Sequence, residues 1–194
     1  MKKILVAFVL LAVHSAVFAQ TKWNVDPVHS SVKFSVTHLV ISEVEGTFKV
    51  YSGSIASTNP DFTDAAVDFT VDVSSVNTDN DYRDKHLKSD DFFNAEKFPK
   101  IIFKSVSFKK VSGNNYALTG DITIRDVTKR VKFDVVYNGQ VKDPYGNIKA
   151  GFKASTVINR LDYNLKWNNL TEAGGAVVGK DVTLKLNLEF AQAK

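Results

Sequence analysis

Val182-Thr183-Leu184-Lys185-Leu186-Asn187-Leu188-Glu189-Phe190 alternates apolar and polar residues without a break. A period of two puts five apolar side chains on one face of an extended strand and four polar ones on the other. One apolar and one wet face is the mark of an antiparallel sheet. Working outward from this stretch, the same alternation runs through Val32, Phe34 and Val36, and through Val67, Phe69, Val71 and Val73. It continues in Leu118, Gly120, Ile122 and Ile124, then Val131, Phe133, Val135 and Tyr137, then Ile148, Ala150, Phe152 and Ala154. Between Ile101 and Phe108 the phase changes from odd to even, which predicts a β-bulge near Ser105. Turn-forming residues separate the runs at Asn59-Pro60-Asp61, Ser112-Gly113-Asn114-Asn115 and Asp143-Pro144-Tyr145-Gly146-Asn147. Only Asp79 to Ser89 reads as helix, with Asp79 as the expected cap. About eight long strands joined by short turns predict an all-β fold: an eight-stranded antiparallel up-and-down barrel with one short flanking helix, closed so that no sheet edge remains.

The chain has 194 residues, 44% hydrophobic and 24% charged, which excludes a disordered protein. Lys2 and Lys3 precede ten apolar residues, Ile4 to Val13, and small residues follow up to Val17-Phe18-Ala19. Residues 1–19 read as a secretory signal peptide and 20–194 as one barrel domain. Ten apolar residues cross about half a bilayer, too few for a retained membrane anchor. Loss of the two leader lysines lowers the net charge from +4 to +2, so nucleic acid is a poor partner. The expected location is the periplasm or the medium. There is no cysteine, so an exported chain must rely on its own core, for which its size suffices.

Enzyme signatures are missing: no cysteine nucleophile, Gly-x-Ser-x-Gly elbow, His-Glu-x-x-His pair or phosphate-cradling loop occurs, and no cofactor is called for. Three histidines follow the leader. His29 and His38 are nine apart and fall on opposite strand faces, and His86 is on the helix, an arrangement unsuited to a metal centre. His38 shares the phase of Phe34 and Val36. Arg160 shares the phase of Phe152 and Ile158 and points inward near a strand end, either to a ligand head group or to an ion pair with Asp162 or another local carboxylate. Arg125 is out of phase with Ile122 and Ile124 and is expected in solvent; Arg83 faces the helix side that carries Leu87 and could close a barrel end. The interior either packs solid or holds one elongated apolar guest. Phe34, Phe69, Phe103, Phe133, Phe152 and Trp167 are the candidate lining, with Arg83, Arg160 and His38 as candidate polar contacts.

Several segments resemble the YceI-like family of exported, lipocalin-like proteins that bind polyisoprenoid lipids. They are Trp23-Asn-Val-Asp26-Pro27-Val-His29-Ser30 with Phe34, His38-Leu39 and Gly46-Thr-Phe48; Arg83-Asp-Lys-His86-Leu87 through Asp91-Phe92-Phe93; Phe98-Pro99 through Phe103-Lys-Ser105; Leu118-Thr-Gly120 through Arg125; and Gly151-Phe152 through Ile158-Asn159-Arg160-Leu-Asp162-Tyr163 to Val178-Gly179-Lys-Asp181-Val182. Asp126 and Asn164 depart from the pattern where glycine is usual, and both tolerate turn geometry. The resemblance implies a barrel that holds an isoprenoid-type lipid, a polyprenyl phosphate or a quinone, with no catalytic step. Homodimerisation is left open. Two rival readings carry distinct expectations: an eight-stranded outer-membrane barrel would turn its apolar faces outward, and an enzyme would bring His38, Arg160 and an acid into one pocket.

Overall fold

The computed structural model describes residues 20–194 with the exception of Ala173, so the leader read at residues 1–19 lies outside the described residues. Eleven strand segments form one antiparallel sheet. They are β1 (Thr21–Val25), β2 (Ser31–His38), β3 (Ser42–Phe48), β4 (Tyr51–Ser57), β5 (Ala66–Asp72), β6 (Val76–Asn77), β7 (Lys100–Ser112), β8 (Asn115–Ile124), β9 (Val127–Lys142), β10 (Ile148–Asn159) and β11 (Val178–Gln192). β1 and β2 lie end to end along one edge of β11, with Val25 opposite Phe190 and Val32 opposite Leu186. In the same way β4 and β3 follow β1 and β2, and β5 and β6 follow β4 and β3. Each such pair is one interrupted wall. The sheet is therefore an eight-walled up-and-down barrel, closed where β11 meets β1, as the alternation predicts.

The expected bulge is present: Ser105 lies opposite Gly120 and Ser107 opposite Thr119, so Val106 is the extra residue and is turned outward. Without it, Phe103 and Phe108 could not both face the interior. The helix α1 (Asp81–Lys88) begins one residue later than predicted. Asn80 caps it by accepting from the Arg83 N–H at 2.9 Å, while Asp79 takes a left-handed turn at φ 57° just before.

The interior divides along the barrel axis. At one end the β4–β5 loop folds inward and drives Phe62, 1% exposed, into the barrel. Phe62 packs on Trp23, Tyr137 and Phe152 with ring centroids 5.2–5.4 Å apart. The loop is fastened by Tyr116 Oη donating to the Asp61 carbonyl at 2.8 Å and Gln140 Nε2 donating to the Pro60 carbonyl at 3.1 Å. Burial raises the pKa of the Asp64 carboxyl. Hydrogen bonds from the Ser57 hydroxyl and the backbone N–H groups of Asn59 and Thr58 outweigh it and hold the group at about 2. This is the closed end. At the other, α1, residues 89–99 and residues 160–172 and 174–177 gather over the opening and form the lid end. In the main, with single residues such as Val141 and Val157 exposed, the apolar faces point inward and the Lys, Asp and Thr faces outward, as in β5 with Val67, Phe69 and Val71 buried. That is the reverse of the outer-membrane arrangement, and the rival reading fails on it.

Candidate ligand-binding cavity

Above the Phe62 plug the barrel is not filled. A cavity of about 170 Å³ extends towards the lid end. Its wall is aliphatic and aromatic, and among the described residues the polar side chains turned towards it are those of Arg160 and Tyr163, Lys33 being exposed on the outer face of β2. Three glycines explain how so aromatic an interior keeps open space. A Cβ at Gly46 would stand 2.3 Å from Phe34 Cζ, one at Gly53 2.2 Å from Phe69 Cδ2, and one at Gly120 2.3 Å from Phe103 Cζ. Gly46 and Gly53 are the direct cross-strand partners of Phe34 and Phe69. Each ring thus lies flat over a position with no side chain, against the wall rather than across the barrel.

Of the nine candidate site residues, Phe34, Phe69, Phe103, Phe133 and Arg160 line this cavity. Phe152 does not. It is buried in the closed-end cluster with Phe62, Tyr137, Phe108 and Phe190, because parity reports the face of a strand and not the depth along the axis. His38 stands at the rim where β2 ends, paired across the sheet with Val178 and Ser42, and is not on the cavity wall. Arg83 is likewise off the wall: Nε and Nη2 donate to Thr78 Oγ1 and O at 2.7 and 2.8 Å. Thr78 in turn binds the buried Asp84, and this hub ties α1 to the end of β6. Trp167 packs in the lid against Phe92 and His86, with centroids 5.8 and 5.6 Å apart.

Arg160 faces inward as its phase predicts and is 3% exposed, but the expected ion pair with Asp162 does not form. Asp162 pairs with Lys129 at 3.1 Å instead. The guanidinium donates to the carbonyls of Gly179, Leu165, Trp167 and Val178 at 2.7–2.9 Å, which uses four of its five N–H groups. It is a staple that fastens the lid to the start of β11, and burial lowers its pKa. Arg125 departs from expectation for a related reason. It sits in the β8–β9 turn at φ 55°, where strand parity no longer applies. Its side chain reaches the carbonyls of Asp90, Phe92 and Asn164 at 2.8–3.0 Å and the Asp90 carboxylate at 2.7 Å. The Asn164 side chain donates to Asp126 at 3.1 Å, so the two residues that depart from the family pattern meet in this corner. Asn164 is left-handed at φ 62°, as expected, whereas Arg125 and not Asp126 takes that geometry in its turn.

The lid supplies lining residues that strand parity had no means to find: Leu87 on α1, Phe92 and Phe93 after it, and Tyr163 and Leu165 after β10. Phe93 meets Phe48 edge-on at 5.9 Å. The Phe92-Phe93 pair after a largely polar helix is the signal for them in the sequence.

The comparisons with known proteins agree with this geometry. The model of the YceI-like domain matches residues 23–190, from β1 into β11. The chain belongs to the YceI-like family. A UPF0312 protein of Staphylococcus aureus (strain bovine RF122 / ET3-1) is 38% identical over 172 residues, covering 88% of this chain and 98% of the relative. The solved YceI protein of Campylobacter jejuni is 30% identical, with a TM-score of 0.68 over 98% of this chain and 99% of that one. Two more distant structures share the fold. BcnA of Burkholderia cenocepacia has TM-score 0.73 at 22% identity over 85% of this chain and 98% of its own. A polyisoprenoid binding domain from Saccharophagus degradans has TM-score 0.64 at 17% identity over 88% and 98%.

In this YceI-like barrel, one group of potential metal ligands is drawn together among the described residues: Asp26, His29 and Glu189. His29 Nδ1 lies 3.0 Å from Asp26 Oδ2, a carboxylate partner that the spacing of the histidines had not suggested. Lys149 Nζ is 2.7 Å from the same oxygen and 3.1 Å from Glu189 Oε1. The Lys149 hydrogen bond, reinforced by His29, holds the Asp26 carboxyl far below the usual carboxylate range, and the same contact raises Lys149. The group's positive charge is already supplied by the ammonium. It pins the β1–β2 interruption to β10 and β11 and stands outside the cavity.

Proposed function

We propose that this protein is exported and binds an isoprenoid-type lipid, enclosing the tail in the barrel cavity and shielding it from water. The observation that carries the reading is the apolar cavity kept open by three rings lying flat over glycines. Stable folds close such space unless something uses it, because interiors pack densely. The cavity is of the size of the roughly 150 Å³ apolar voids that stay dry and accept benzene. It holds about one isoprene unit as it stands, and a longer tail gains room as Phe92 and Phe93 give way at the lid. Each buried methylene contributes about 0.8 kcal/mol, so a few units suffice for firm binding. The ligand class is supported by the shared fold of the Saccharophagus degradans protein, which is a polyisoprenoid binding domain. The positive, apolar, small-residue order of residues 1–19 supports export.

Binding without catalysis is the reading favoured by the polar groups. His38, Arg160 and an acid do not converge: His38 is off the cavity wall and Asp162 is engaged by Lys129. Ala154 on β10 lines the cavity, and Ala154→Trp tests the reading. The variant is expected to fold with an unchanged circular dichroism spectrum and to lose binding of a fluorescent apolar polyene. Binding retained at wild-type affinity by folded Ala154→Trp overturns the assignment.

A further inference from the structure

The hairpin between β2 and β3 turns through His38-Leu39-Val40-Ile41, and its apolar residues stand in solvent: Leu39 is 39%, Val40 66% and Ile41 86% exposed. Leu170, 63% exposed, lies on the adjoining loop, whose Gly175 approaches Val40 so closely that a Cβ would come within 3.1 Å of Val40 Cγ2. The backbone of the tip is strained as well. Leu39 has φ 51° and Val40 φ 66°, and the Ile41 N–H donates to the His38 carbonyl at 3.2 Å to close the turn. Hairpins ordinarily give two such positions to Asn-Gly or Asp-Gly, since a Cβ is disfavoured there and a β-branched one most of all.

The tip is nevertheless held firmly. Leu39 N–H donates to the Val177 carbonyl at 2.9 Å and Ser42 Oγ to the His38 carbonyl at 3.3 Å. Strained backbone and water-exposed apolar side chains each destabilise the isolated chain, and here they coincide on the same residues. That coincidence points to a use outside the fold. Location identifies it. The tip projects from the lid end, on the strand whose Phe34 and Val36 line the cavity, and beside Val178, which lines it too.

We propose that Leu39, Val40 and Ile41, with Leu170 beside them, form a bilayer-docking finger. Its side chains enter the acyl region of a membrane and seat the lid end on the lipid surface, so a tail passes between bilayer and cavity without crossing water. The inference rests on the cavity being a lipid site. With so few apolar side chains the attachment is reversible, like that of a short acyl anchor.

The test is co-sedimentation of the mature protein with mixed phosphatidylcholine and phosphatidylglycerol vesicles, with polyene binding to the cavity measured in parallel. The wild type is expected to sediment with vesicles, and Ile41→Ser to partition about tenfold less. A Leu39→Asn, Val40→Gly double variant is expected to lose vesicle binding, keep polyene binding, and melt at or above the wild-type temperature because the turn strain is relieved. Wild type that fails to sediment, or variants that sediment equally, overturn the proposal. So does a dimer that Ile41→Ser converts to monomer, which would make the tip a contact with a second copy. Protein that binds polyene but no vesicles refutes the docking finger alone. Protein that binds vesicles but no polyene refutes the cavity reading, and with it the passage of a tail between bilayer and cavity.

Discussion

Gly53→Ala is the sharpest perturbation of the cavity. Its methyl carbon would stand 2.2 Å from Phe69 Cδ2 and 2.7 Å from Cε2, with no backbone atom among its nearest contacts. The ring must therefore move, and the open direction is into the cavity. Carbon atoms rest about 3.5 Å apart, so the ring retreats by about 1.3 Å; over a ring face of about 40 Å² this removes roughly 50 Å³. That is close to a third of the 170 Å³ available. Room for about two methylenes is lost, worth about 1.6 kcal/mol, or a little over tenfold in affinity. Stability changes less, since overpacking costs about 1–3 kcal/mol while replacing glycine in a strand returns about 0.5–1 kcal/mol. Fluorescence titration with an apolar polyene reads the affinity, and thermal unfolding reads the stability. Adding Phe69→Leu to Gly53→Ala removes the clash and is expected to restore binding. A Gly53→Ala protein that binds the polyene as tightly as wild type would refute the idea that ring placement sets the cavity.

Arg160→Gln breaks the lid staple: stability is expected to fall by about 3 kcal/mol, because buried carbonyls lose charged donors. A prenyl phosphate and an uncharged prenyl chain of equal length should then weaken alike; loss confined to the phosphate would make Arg160 a head-group anchor instead. Phe62→Ala removes the closed-end plug and should cost about 3–5 kcal/mol, with a fall in Tm on the order of 10 °C. The Asp26 carboxyl is depressed in the fold, so its contribution is complete above the ordinary carboxylate value of about 3.9 and lost as pH falls below it. Lys149 is raised, so its contribution holds below about 10.4 and is lost as pH climbs further; Asp26→Asn should flatten the acid limb of the stability profile measured by urea unfolding.

Face was legible in the sequence, and depth was not. Alternation places Phe34, Phe69, Phe103, Phe133 and Phe152 on inward faces, and all five are inward. Nothing in a period of two separates Phe133, at the cavity, from Phe152, in the closed-end cluster, since that depends on how the walls stagger. The bulge at Val106 was legible because it shifts the phase of a long run. Phe62 was not, because it sits in a loop at φ 62° where periodicity carries no information. Arg160 was placed on the correct face, but its pairing with Asp162 did not hold, since backbone carbonyls of a distant segment leave no trace in side-chain spacing. Arg125 failed as a turn residue read by strand rules. Gly120 stood out as a small inward residue, and its meaning emerged only with the Phe103 ring above it.

The most direct test of the lipid-binding account is native mass spectrometry of the protein purified from cells without detergent. The account predicts a one-to-one complex whose added mass extracts into organic solvent as an isoprenoid-type lipid, reduced in Ala154→Trp and Gly53→Ala. A bare chain that also takes up no prenyl lipid when offered it would contradict the account.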